Sequence, residues 1–246
     1  MRLDKLLLER GVATSRERAQ ALILAGKVLI NGQKIEKAGT AVEASADLRL
    51  LGDDLKYVSR GGLKLEEALQ HWQIDVAGAT CLDVGTSTGG FTDCLLQRGA
   101  GRVIAVDTGH GQIDFRLRQD ARVRLLEKTN ARYLTPLQLS EAIDLVVMDV
   151  SFISATLVLP AVIAAAFPGL RERRGRQIIV LVKPQFEAGR AEVGKGVIHD
   201  AAIHERVIEE VSAAAAGIGL IPAGSTPSPI TGQKGNVEFL LHLRAP

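Results

Sequence analysis

Thr80-Cys81-Leu82-Asp83-Val84-Gly85-Thr86-Ser87-Thr88-Gly89-Gly90-Phe91 is the stretch on which the reading of this chain turns. A short apolar run closes on an acidic residue. A loop with three glycines then opens into Phe91-Thr92-Asp93-Cys94-Leu95-Leu96, a sequence of strand, tight loop and helix. Gly85, Gly89 and Gly90 let backbone approach a ligand without a β-carbon between them, and the first N–H groups of the helix have no partner within it. The spacing is not G-x-G-x-x-G, so a dinucleotide fingerprint fits poorly. S-adenosylmethionine fits better, because its carboxylate can use those donors while Asp83 attracts its ammonium group. Gly85, Ser87, Gly89, Gly90 and Phe91 complete this expected cofactor cradle. Glycines serving only a tight strand-to-helix turn are the competing reading.

The 246 residues suffice for one sizeable core and a small satellite domain, and 46% hydrophobic composition is that of an ordinary globular protein. A formal net charge of +2 hides an asymmetry: residues 1–37 hold eight Lys and Arg against four Asp and Glu, and the remainder holds 22 against 24. Two cysteines, Cys81 and Cys94, fit core packing in a reducing cytoplasmic compartment better than a disulfide. The longest apolar stretch, residues 153–167, is interrupted by Ser154, Thr156 and Pro160, so no segment is expected to span a bilayer. No residue is assigned to a metal.

Residues 2–10 place apolar side chains on one helical face and stop at Gly11; Thr14 or Ser15 can cap a second helix over 16–25. Lys27-Val28-Leu29-Ile30, Asn31-Gly32 and Gln33-Lys34-Ile35 form a two-residue hairpin signal, with another strand at 47–51. Arg16, Arg18, Lys27 and Lys34 can track phosphates from this module, and Arg2 and Lys5 join them as expected RNA contacts; a solvated surface is the bland alternative. The succession Leu-Asp-Lys-Leu-Leu, Ser-Arg-Glu-Arg-Ala, Gly-Lys-Val-Leu-Ile-Asn-Gly resembles the alpha-L RNA-binding module, which implies a first domain that holds structured RNA.

We expect that domain at 1–53, a linker at 54–62 and a catalytic domain at 63–246. From Thr80 onward strands at 102–106, 123–126, 144–148, 177–182 and 219–223 alternate with helices, the clearest at 153–167 and 199–216. This pattern predicts an α/β, Rossmann-like, mostly parallel sheet. A closing antiparallel hairpin, 221–226 with 236–243, is expected at its edge. Asp107 follows the second strand, where a carboxylate can accept the hydroxyls of an adenosine ribose. Asn130 follows the third, at the expected adenine position, though an Asn there equally suits a turn.

Asp149 ends the fourth strand and Lys183 the fifth. A lysine at the mouth of the apolar run Ile179-Val180-Leu181-Val182 needs a partner, and Asp149 is the natural one; a plain structural ion pair is the alternative. Lys64 and Glu238 complete a Lys-Asp-Lys-Glu set in the chain order of FtsJ-like ribose methyltransferases. With Ser59-Arg60-Gly61-Gly62-Leu63-Lys64-Leu65, Asp149-Val150-Ser151-Phe152-Ile153-Ser154, Lys183-Pro184-Gln185-Phe186-Glu187 and Gly235-Asn236-Val237-Glu238-Phe239-Leu240, the chain resembles the TlyA, or hemolysin A, family over its whole length.

The resemblance implies a 2′-O-methyltransferase of rRNA that uses S-adenosylmethionine, acts on cytidine and binds a ribosomal subunit. Its implied catalytic residues are Lys64, Asp149, Lys183 and Glu238. Members acting on both subunits carry a short basic extension before the first helix. Here the sequence opens at Met1-Arg2-Leu3-Asp4, which sets the expectation on the large subunit. Lys183 would draw the proton from the hydroxyl or favour its developing alkoxide. Arg60, and Arg190 and Lys195 in an expected flexible loop at 189–196, would add RNA contacts. The alternatives are an inert rRNA-binding or assembly protein and, with no amphipathic segment to support it, a membrane-lysing one.

Overall fold

A computed structural model describes residues 1–13, 15–50, 56–169, 173–194, 196–232 and 235–246; the side chains of 190 and 191 lie outside it. The chain divides into two compact units, Met1–Lys56 and Tyr57–Pro246.

In the first unit, α1 (Leu3–Glu9) and α2 (Arg16–Leu24) precede the strands β1 (Val28–Ile30), β2 (Gln33–Ile35) and β3 (Leu48–Leu50), which pair antiparallel in the order β2-β1-β3. Ser15 caps α2, its Oγ accepting from the Arg18 N–H at 3.2 Å; the alternative cap, Thr14, lies outside the described residues. Asn31 and Gly32 both have positive φ, +50° and +79°, the geometry a two-residue hairpin of matching twist requires. Leu3, Leu6 and Leu7 of α1, Ala19 and Ile23 of α2 and Val28 of β1 close a small core.

The second unit holds α3 (Gly61–His71), β4 (Thr80–Val84), α4 (Gly90–Gln97), β5 (Arg102–Val106), α5 (Phe115–Gln119) and β6 (Val123–Leu126), then a 3₁₀ turn, Ala131–Tyr133. After α6 (Pro136–Leu139) come β7 (Leu145–Met148), α7 (Ala155–Ala166), β8 (Gln177–Val182), α8 (Pro184–Glu187) and α9 (Arg190–Val193). The unit closes with α10 (Ala201–Gly217), β9 (Ile221–Pro227) and β10 (Phe239–Arg244).

Among the described residues these strands form one seven-stranded sheet ordered β6-β5-β4-β7-β8-β10-β9, parallel from β6 to β8 and antiparallel in its last two strands. Side chains alternate between two buried faces. Leu82, Val84, Val146 and Met148 pack with α7 and α10, whereas Cys81, Leu145 and Val147 pack with α3 and α4. Burial on both faces explains why these strands read as unbroken apolar runs. Cys81 and Cys94 are buried within this core.

Three expectations shift. The strand predicted at 219–223 runs from Ile221 to Pro227, because Gly219, at φ +84°, ends α10. In the expected linker, 54 and 55 lie outside the described residues, Tyr57 is buried in the second unit's core, and α3 already starts at Gly61. The loop expected at 189–196 contains the helical turn α9. Glu192 ties it down, accepting from the Gly189 N–H at 3.0 Å and from Arg206 of α10 at 2.6 Å. Of its two expected RNA contacts, Lys195 and the side chain of Arg190 lie outside the described residues.

Candidate active site

Three strand ends and one helix build the site. Lys183 follows β8 and Asp149 follows β7, its parallel neighbour. The Lys183 Nζ lies 2.5 Å from Asp149 Oδ1, an ion pair without hydrogen-bond alignment, and donates its hydrogen bond to Ser151 Oγ at 2.7 Å. Glu238 immediately precedes Phe239 of β10, and Phe239 stands opposite Val182, which immediately precedes Lys183. The antiparallel register thus sets Glu238 beside Lys183 along the two backbones. Lys64, from α3, reaches Glu238 in a buried ion pair. Lys64, Lys183 and Glu238 are 8%, 7% and 2% exposed, so two cations are buried with their carboxylate partners near adjacent strand ends. Charges so placed need partners, and each has one.

The glycine turn lies beside Asp149. Gly85 has φ +87°, and a Cβ there would come within 2.4 Å of the Asp149 carbonyl oxygen; the missing side chain is what lets the turn lie against the Asp149 backbone. Gly90 serves a similar end, since a Cβ would meet Ser59 Oγ at 2.3 Å. Gly89, at φ +97°, precedes α4. Phe91 is buried in the core. The space beside these glycines is therefore filled by protein, in line with the tight-turn reading, while the first turn of α4 still presents its N–H groups.

Asp83 lies beneath the turn. It is fully buried, its Oδ2 accepts from Thr92 Oγ1 at 2.6 Å, and its Oδ1 has no hydrogen-bond partner among the described residues. Burial, reinforced by the charges of Asp149 and Asp107, pushes its pKa up to about 7. The expected direct contact of Asp83 with an ammonium group is not what its burial beneath the turn provides for. Asp107 is partly exposed and takes the Ser87 N–H at 2.7 Å on one oxygen and the Gly109 N–H at 2.6 Å on the other. Asn130 caps the 3₁₀ turn through the Arg132 N–H at 3.1 Å, which is the turn-forming alternative. An orphaned buried carboxylate oxygen under a helix start, with a second carboxylate at the next strand end, suits a ligand carrying both an ammonium and a ribose.

Several residues here were not assigned from sequence. Phe152, beside Asp149, is 89% exposed at φ +63°, and its ring lies 5.2 Å from that of Phe186. Asn236 accepts from the Ile198 N–H at 3.1 Å and donates to the Gly196 carbonyl at 2.9 Å, tying the segment after α9 to the residue pair before β10. A non-glycine residue at positive φ has no sequence signature, whereas Asn236 stood in a quoted motif without a role. Arg60 donates to the Thr231 carbonyl at 2.6 Å, linking the start of α3 to the loop before Glu238.

In the first unit, Asp4 is the hub of the basic face. Its carboxylate accepts from Arg2 Nε at 3.0 Å and Nη2 at 2.9 Å, from Arg16 Nε at 3.1 Å and from Gln20 at 3.2 Å. These partners, Arg2 first, hold its pKa well below the usual carboxylate range. The Arg2 and Arg16 side chains remain 51% and 58% exposed, two forks held side by side. Lys5, Arg18 and Lys34 are exposed and Lys27 is half-buried; Lys34 pairs with Glu36 at 2.8 Å.

The geometry agrees with comparisons to known proteins. A family model described as FtsJ-like methyltransferase matches residues 57–245, and one described as S4 domain matches residues 1–48. The chain is 47% identical over 245 residues to the 16S/23S rRNA (cytidine-2′-O)-methyltransferase TlyA of Mycobacterium tuberculosis, covering 99% of this chain and 89% of that one. It is 32% identical over 261 residues to the 23S rRNA (cytidine-2′-O)-methyltransferase TlyA of Campylobacter jejuni, covering 98% of each. A solved hemolysin-type structure from Streptococcus thermophilus superposes with a TM-score of 0.77 at 44% identity, over 100% of this chain and 88% of that one.

Proposed function

We propose, for a chain that belongs to the TlyA/hemolysin family of rRNA methyltransferases, that it transfers a methyl group from S-adenosylmethionine to a ribose 2′-hydroxyl of cytidine in large-subunit rRNA. The observation that carries this reading is the two ion pairs, Lys64–Glu238 and Lys183–Asp149, both lysines buried, at neighbouring strand ends. The Lys183 amine already meets a hydroxyl there, that of Ser151, the same chemical group that a ribose would bring.

A ribose hydroxyl is a weak nucleophile near neutral pH, so its proton must be withdrawn or its oxyanion favoured. Lys183 Nζ takes that task, accepting the proton as a neutral amine or donating a hydrogen bond to the developing alkoxide as a cation. Asp149 aims the amine. Lys64 and Glu238 neutralise one another beside it, and α3 and β10 hold them rigidly within the core. S-adenosylmethionine supplies a methyl group made electrophilic by the sulfonium. Asp107, Ser87, the turn from Gly85 to Gly89, the Gly90 and Phe91 backbone and Asn130 would hold it, with Asp83 buried beneath the turn.

Arg2 and Arg16, fixed by Asp4, together with Lys5, Arg18, Lys27 and Lys34, supply phosphate contacts to the rRNA, and Arg60, Arg190 and Lys195 add contacts from the catalytic unit. Among the described residues no helix is long and apolar enough to cross a membrane, and ribosomal particles in the cytoplasm are the proposed partner.

The test is methyl transfer from labelled S-adenosylmethionine to rRNA, with the modified ribose mapped by mass. The Lys183→Ala variant should lose at least ~10²-fold in rate, the contribution of a positioned acid–base group. A wild-type chain that binds S-adenosylmethionine and rRNA of both ribosomal subunits yet methylates neither would leave only an RNA-holding role.

A further inference from the structure

Two segments carry the reactive end of the site, 149–155 after β7 and 183–187 after β8, and they are joined at three places. Lys183 meets Asp149 and Ser151 at one end. The Phe152 and Phe186 rings touch in the middle. At the far end Glu187, half-buried, accepts from Ser154 Oγ and, at 2.7 Å, from the Ala155 N–H.

Ala155 opens α7, so the Glu187 carboxylate satisfies a helix-start donor and faces the positive end of the helix. Between the joints stands Phe152, an exposed aromatic residue at φ +63°. Such a backbone persists only where its surroundings over-determine it. Ser154 is itself held, bonding the Thr156 N–H at 3.1 Å and the Thr156 hydroxyl at 2.7 Å.

Resting on the activity proposed above, we infer that Glu187 is a positioning residue: by clasping Ser154 and Ala155 it fixes Asp149 and Phe152 relative to the Lys183 amine. Glu187 touches none of the catalytic four, and its effect passes through the backbone of 150–154. The acceptor that matters is geometric, since a glutamine oxygen can still take the Ala155 N–H while its amide N–H₂ donates to Ser154 Oγ.

The experiment measures kcat and KM for rRNA and S-adenosylmethionine in the full chain with Glu187→Ala, Glu187→Gln and, as a stability control, Asp200→Ala. Asp200 caps α10 by accepting from the Ala202 N–H at 2.8 Å, and it bonds neither Ser154 nor Ala155. Glu187→Ala should lower kcat between tenfold and ~10²-fold, the cost of misplacing a reacting group by about 1 Å, with both KM values within about threefold. Glu187→Gln should recover most of kcat. Asp200→Ala should lower the melting temperature and leave kcat unchanged.

Hydrogen exchange supplies a readout independent of turnover: Glu187→Ala should speed exchange in 150–156 and leave β4 as in wild type. Unchanged kcat and exchange in Glu187→Ala would overturn the inference, as would Glu187→Gln failing as badly as Glu187→Ala. A wild-type chain with no transferase activity would instead sink the proposed activity, and the exchange data would still decide whether the clasp exists.

Discussion

Asp4 in the first unit and Asp83 in the second are both 0% exposed, yet their protons are held in opposite ways. Asp4 is closed off by its own partners: two arginines and Gln20 lie on its oxygens, and its pKa falls. Asp83 is closed off by the core, receives one hydroxyl and leaves an oxygen unpartnered among the described residues, and its pKa rises to about 7. At Asp4 charged donors, Arg2 first, outweigh desolvation, whereas at Asp83 desolvation outweighs the bonds from Thr92, and that balance decides the sign of each shift. One carboxylate organises cations that face outward. The other stores an unmet demand for positive charge beneath the glycine turn.

The largest expected effect probes Asp83. Folded, it keeps its proton up to about pH 7, whereas its ordinary value is 3.8. Between those values the folded state therefore binds more protons, so stability falls as pH rises through the window and is level above it. Measured against Asp83→Asn, which cannot ionise, wild type should lose stability of order 4 kcal/mol between about pH 4 and pH 7 in denaturant titrations. A flat difference would mean that Asp83 is not held as described.

A smaller effect probes Asp4. Asp4→Ala makes the chain more basic, which by charge alone would tighten RNA binding. If the carboxylate matters because it aligns Arg2 and Arg16, affinity should instead fall about tenfold, ~1.4 kcal/mol, in filter binding at fixed salt. Tighter binding would break the contrast drawn here. The linkage has the opposite sign to that of Asp83: Asp4 supports the first unit above pH 3.8 and that support fades as acid protonates it. Smallest is Lys27→Ala, a single half-buried cation without the alignment of the arginine pair. It should weaken binding a few-fold and lower the salt slope by about one.

Much of this was legible in residue order. The runs ending at Val84, Val106, Met148 and Val182 are strands buried on both faces, and such strands announce themselves as short apolar stretches; the run ending at Leu126 is the half-buried edge strand. Asn31-Gly32 and Ser15 signalled their turn and cap by local chemistry. Lys183 stood out as a charge closing an apolar run, with Asp149 at the neighbouring strand end, and Lys64 and Glu238 joined them through the resemblance in chain order. What was hidden depends on register between distant segments. The Glu187–Ser154 clasp joins residues 33 apart and exists only because β7 and β8 are neighbours. The covering of Asp83 likewise depends on tertiary packing over the glycine turn. Asn130 could serve a turn or a ligand, and only its bond to the Arg132 N–H settles what it does in the fold.

The placement of β10 between β8 and β9 has a consequence for synthesis. A nascent chain halted before residue 238 can already have made β4, β5, β7 and β8 with the glycine turn, but it leaves Lys64 without its carboxylate and the sheet with an open seam. Translation must deliver the closing strand before the seam between β8 and β9 is filled and Lys64 gains its buried partner.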